Sequence, residues 1–146
     1  MEIQSLKLLV TDADIAAALR ELAGQQEGLE NFQARITPEG LLLQGEYATG
    51  FGFKVPFETT WLPAPAGPIL QITLTNIKVA GLPAGLLRGV LFRTLADAAE
   101  QHPGMRVEGE TVFLNIPELA AGRGFDVRLR LTALHLSTGS ATLESA

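Results

Sequence analysis

From Leu29 onward apolar residues fall mostly on every second position, the period of an extended strand with one buried face. Phe32, Ala34 and Ile36 alternate up to Thr37-Pro38-Glu39-Gly40, which reads as a hairpin connection. Leu41, Leu43, Gly45 and Tyr47 share one side of the returning strand. After Thr49-Gly50 the alternation is at its cleanest: Phe51, Phe53, Val55 and Phe57 face one way, and Gly52, Lys54, Pro56 and Glu58 the other. Pro56 has no N–H to donate, which predicts an edge position or a bulge there. Pro63, Pro65, Gly67 and Pro68 read as a stiff connection to a strand from Ile69 to Val79, with Leu70, Ile72 and Leu74 on one face. At about 3.3 Å per residue that strand reaches roughly 36 Å, long enough to demand a strongly twisted, curving sheet.

Two stretches abandon this period. An opening strand over Ile3, Leu6, Leu8 and Val10 gives way to Ile15, Ala18, Leu19, Leu22 and Ala23 at helical spacing. Thr11 or Asp12 is the expected N-cap and Gly24 the stop. The second break, Gly81-Leu82-Pro83, precedes a helix with Leu87, Val90, Leu91, Leu95 and Ala98 on one face. Leu86 and Phe92 widen that stripe beyond a coiled-coil seam, while Arg88, Arg93, Asp97 and Glu100 keep the remaining surface wet.

The last third returns to strands. Met105–Glu108 and Thr111–Leu114 flank a Gly109-Glu110 turn, and Asn115–Leu119 reads as a brief helical turn started by Pro117. Phe125, Val127, Leu129 and Leu131 alternate, and after Ala133 the apolar phase moves to Leu134 and Leu136, as a β-bulge produces. Thr138-Gly139-Ser140 turns into a terminal strand from Ala141 to Glu144. These elements predict a single domain over residues 1–146, of α+β class. A long, highly curved antiparallel sheet is packed on or wrapped around two amphipathic helices.

Composition narrows the partners. Charged residues are 18% of the 146, against 47% hydrophobic, a charge share below the usual ~25%. Some apolar surface is therefore expected to need a partner. A net charge of −5 speaks against nucleic acid, which calls for a basic face, and gives no electrostatic attraction to anionic membranes. The chain has no cysteine, which excludes disulfides, thiolate metal sites and cysteine nucleophiles. Met1–Lys7 lacks a basic segment followed by an apolar run, and no stretch approaches the ~18 apolar residues of a spanning helix. The expected location is cytoplasmic, or the envelope if a leader has been removed.

Candidate chemistry is sparse. His102 follows the second helix and His135 sits between Leu134 and Leu136, too far apart in sequence and too poorly accompanied to make a metal site or a triad. Asp12 and Asp14 resemble the start of a calcium loop without its remaining ligands, so helix capping is the expected role. Glu108 and Glu110 read as a solvated turn. Gly50-Phe51-Gly52 and Gly122-Arg123-Gly124 read as turns, because neither has the lysine or spacing of a phosphate loop. No nucleophile, acid or base set can be assembled, so no enzyme and no cofactor are expected.

The aromatic stripe is the one feature with a functional reading beside its role as core. A face of this kind also lines the apolar groove that a curved sheet leaves open when too few helices close it. The order of elements supports that view. A short helix, long strands, Asn76-Ile77-Lys78-Val79-Ala80-Gly81-Leu82-Pro83, a second helix, then Met105–Glu108 and Thr111–Ile116 together look like the bacterial branch of the tubular lipid-binding superfamily. Those proteins are similar to the bactericidal/permeability-increasing fold. The resemblance is one of order and spacing over nearly the whole chain. It implies a long helix cradled in a twisted antiparallel sheet, with a channel for acyl chains and no shared catalytic residues. By position, Phe51, Phe53, Val55 and Phe57 with Leu87, Val90, Leu91 and Leu95 are the implied ligand-binding residues. Members are often secreted or membrane-anchored, whereas no leader is visible here. The expected function is non-enzymatic binding of a lipid or other hydrophobic molecule. The alternative is a protein–protein module whose groove or edge strand is completed by a second copy in a homodimer.

Overall fold

The computed structural model describes residues 2–3, 6–23, 28–124, 126–127 and 130–145. Gly24, Phe125 and Leu129, on which a helix stop and part of an alternation were expected, lie outside these residues. In chain order the elements are β1 (Glu2–Ile3), β2 (Leu6–Thr11), α1 (Asp12–Ala23), β3 (Leu29–Thr37), β4 (Gly40–Ala48), β5 (Lys54–Ala66) and β6 (Ile69–Val79). There follow α2 (Ala84–Gln101), β7 (Met105–Glu108), β8 (Thr111–Asn115), α3 (Ile116–Ala121), β9 (Asp126–Val127), β10 (Leu131–Ser137) and β11 (Ser140–Ser145).

The fold is α+β, with open sheets. Its strands divide into two antiparallel sheets, six-stranded in the order β3-β4-β5-β6-β8-β7 and three-stranded in the order β10-β11-β2. A short parallel pair, β1-β9, stands apart from both. The sheets meet at two corners. At one, the Leu131 N–H donates to the Gly67 carbonyl at 2.7 Å. At the other, Gly139 donates to the Ile36 carbonyl at 2.9 Å, and the Asp12 carboxylate accepts the Ile36 N–H at 2.6 Å.

Bulges bend the strands so that one face stays inward. In β6 the inward residues are Leu70, Ile72 and Leu74, then Ile77 and Val79, a switch from even to odd positions. The register with β5 shifts there, Trp61 pairing Leu74 and Thr60 pairing Asn76. Thr75 is the extra residue, and its hydroxyl donates to the Thr60 carbonyl at 3.1 Å. The expected slip in the last long strand is present as a register shift between Leu131 and Ala133.

Three prolines take strand positions that tolerate them. Pro63 and Pro65 were expected in a connection, yet both lie inside β5, opposite Ile72 and Leu70. Ala66 and Ile69 close the two-residue Gly67-Pro68 turn as a hydrogen-bonded pair, so alternation puts both prolines on non-bonded pairs toward β6. Their missing N–H groups face the side that β4 leaves free, because β4 pairing ends at Trp61. Pro56 also finds a local edge, since β6 ends opposite Phe57.

One expected strand segment is not strand. Phe51 and Phe53 belong to the loop before β5 and are 86% and 56% exposed. Gly50 and Gly52 take φ values of 84° and 88°, which break an extended run whatever the side-chain pattern. Thr49 locks the loop: its hydroxyl donates to the Phe53 carbonyl at 3.1 Å and accepts the Phe51 N–H at 3.3 Å.

The helices cover the sheets as their apolar faces predict. Thr11 caps α1 in a reciprocal box, its hydroxyl accepting the Asp14 N–H while Asp14 accepts the Thr11 N–H at 2.9 Å. The cap is therefore Thr11, and Asp12 spends its carboxylate on β3. Helix α2 buries Leu87, Leu91 and Ala98. Helix α3 is capped by Asn115, which accepts the Glu118 N–H at 3.1 Å. Among the described residues no helix is long and apolar enough to cross a membrane.

Candidate functional site

The residues that sequence patterning brought together separate in three dimensions. Phe57, Leu87 and Leu91 pack with Leu29 in a closed core, with Val90 beside them. The Phe57 ring lies against Gly45, where an added Cβ would come within 2.8 Å of it. Val55 is buried nearby in β5. Phe51 and Phe53 are in solvent, and only Leu95 of the set faces open internal space. The N-terminal half of α2 thus fills core, and its C-terminal half reaches toward a void.

That void is a cavity of about 320 Å³ between the two sheets, at the lower end of the ~300–1,000 Å³ usual for ligand pockets. Its floor is the inward face of the large sheet, with Leu41, Leu43, Trp61, Pro63, Leu70, Ile72, Met105, Val112 and Leu114. Its roof is Val10, Leu134, Leu136, Ala141 and Leu143 from the small sheet. Ile15, Ala18 and Leu19 of α1 close one side.

Polar atoms are withdrawn from the cavity wall. The Trp61 indole N–H donates to the Thr59 hydroxyl at 2.8 Å, and that hydroxyl donates to the Leu43 carbonyl at 3.3 Å. Thr59 is the one buried polar residue among those described, and both of its bonds are internal. Trp61 is fixed further by Phe92, with ring centroids 5.8 Å apart and planes tilted by 58°. Among the described residues Asp14 is the sole ionisable one on the lining. Its carboxylate is turned to Thr11, whose backbone N–H first and hydroxyl second hold the acid below its usual pKa.

The other candidate groups take structural places. His102 is the C-cap residue of α2. His135 is exposed on β10, 4.0 Å from Glu144. Glu108 pairs with Arg106 and Glu110 with Arg88, both at 3.3 Å and well exposed. Among the described residues no group of three or more acidic or histidine side chains is arranged to hold a metal ion. A shallower depression of about 630 Å³ lies mostly on the outward face of β3 to β6. Two pairs of its side chains bond each other: Asn31 donates to Glu46 at 2.6 Å and Gln44 to Glu58 at 3.2 Å.

Most lining positions missed as a site were nevertheless legible as inward-facing. The signal that marks a void is a small residue at an inward position, Ala141 on β11, set among leucines that do not fill the gap. No protein family, no curated protein and no solved structure matches this chain.

Proposed function

We propose that this protein binds a lipid or other hydrophobic molecule, without transforming it, in the cavity between its two sheets. The carrying observation is that the described lining residues are apolar, Asp14 apart, around about 320 Å³ of space. A void of that size and lining leaves side chains without packing partners, and a hydrocarbon ligand supplies them. Filling it removes apolar surface from water on both partners, worth about 0.8 kcal/mol per buried methylene, or roughly a fourfold gain in affinity for each.

Native mass spectrometry of the purified protein tests the reading. The expected result is an added mass that organic extraction removes, and that returns in part when the extracted protein is given a long-chain alcohol. An extracted, folded protein that stays at its bare mass in the presence of the alcohol would sink the proposal.

A further inference from the structure

The chemistry of the cavity wall also selects among hydrophobic ligands. Among the described residues no lysine, arginine or histidine lines it. The indole N–H of Trp61, which could have met a polar group, is already donated to Thr59. A carboxylate or phosphate taken inside would lose its hydration and gain neither a donor nor a countercharge, a loss far larger than for a neutral group. At the α1 side the ionisable neighbour is Asp14, an exposed acid held charged by Thr11. An anionic headgroup left at that side would meet a like charge.

We propose that the cavity takes neutral hydrophobic molecules, hydrocarbon chains that are unsubstituted or end in an alcohol or ester, and rejects chains that end in an anion. The inference rests on the cavity being a ligand site, and its test separates the two. Trp61 is the chain's single tryptophan and lines the cavity, so a bromine atom brought beside it quenches the protein's only indole emission. A terminally brominated undecanol and the matching brominated undecanoate, titrated at pH 8 below their critical micelle concentrations, differ only in the headgroup.

The expected result is saturable quenching by the alcohol, with the carboxylate binding at least about fivefold more weakly, the size of a near-contact like-charge interaction in water. A second variant fixes the cause. Ala18 is exposed and borders the cavity one helical turn after Asp14. Ala18→Lys is expected to close the gap between the two probes, read as the ratio of the carboxylate's affinity to the alcohol's in the same variant. Equal binding of both probes by the unaltered protein overturns charge selection and leaves the cavity reading intact. An Ala18→Lys variant that still rejects the carboxylate overturns the rim-charge explanation. Quenching by neither probe overturns both readings.

Discussion

The Asp12 carboxylate accepts the Ile36 N–H at 2.6 Å, joining the start of α1 to the edge of the large sheet. Ile36 pairs with Leu41 one step beyond the tight Thr37–Gly40 turn, so its N–H and carbonyl point away from β4. Asp12 takes the first and Gly139 the second, and the Asp12 N–H in turn donates to the Gly139 carbonyl at 3.3 Å. The edge of β3 is thereby closed at Ile36 without a further strand. Replacing Asp12 by alanine leaves the Ile36 amide unpaired beneath α1. The expected loss is about 1–3 kcal/mol in urea unfolding, with faster hydrogen exchange at Ile36 than elsewhere in β3. Unchanged exchange at Ile36 would show that the bond is not maintained in solution.

Gly45 and Phe57 are paired across β4 and β5, and the ring occupies the place a side chain would take. A Cβ at Gly45 would stand 2.8 Å from Phe57 Cζ and 3.3 Å from Phe32 Cδ1. Gly45→Ala is therefore expected to cost about 1–3 kcal/mol by overpacking. Phe57→Leu makes room, so the double variant is expected to be less destabilised than the two single changes sum to. Strict additivity in denaturant titrations would show that the clash is not what destabilises the alanine.

The elements that follow from local pattern were legible: β6 from Ile69 to Val79, α2 after Pro83, the Gly109-Glu110 hairpin and the bulge near Ala133. Each is announced within a few residues by alternation, helical spacing or a turn. The Phe51–Phe57 stripe misled because two glycines end the strand while the side-chain alternation runs on. The phase change between Leu74 and Ile77 was present in the sequence as a bulge signal, parallel to the one near Ala133, but it sits inside a run that alternates well on either side. The cavity was least legible. It depends on where the small sheet crosses the large one, and that is set by contacts distant in sequence, Ile36 with Asp12 and Gly139, and Gly67 with Leu131. No local pattern carries those distances.

The Thr11 bonds to Asp14 give the N-terminus of α1 a pH dependence whose expected sign follows from their direction. Its acid is held below the usual value of 3.8 by the Thr11 N–H and then by the Thr11 hydroxyl. A folded-state pKa below the unfolded one means that the carboxylate contributes its full stabilisation above 3.8. The contribution is lost as pH falls through the lower, folded value. The melting-temperature gap between the unaltered protein and Asp14→Asn is expected to be constant at neutral pH and to close on acidification below 3.8. A gap that widens in acid would reverse the sign and show that the capping bond does not govern the titration.

Ala141 offers a way to fill part of the cavity from its roof. It sits on β11 opposite Val10, is 7% exposed and borders the void. Ala141→Leu adds three carbons to a residue that borders the void, so its effect on unfolding free energy is expected to stay within about 1.5 kcal/mol of zero. Its effect on binding should be large. In the unaltered protein each added methylene of a homologous alcohol series is expected to tighten binding about fourfold, until the chain outgrows the space. In the Ala141→Leu variant the same series should level off at a chain about three carbons shorter, one for each carbon the larger side chain adds, read from Trp61 emission. A variant that folds normally and keeps the original chain-length limit would place the bound molecule somewhere other than between the sheets.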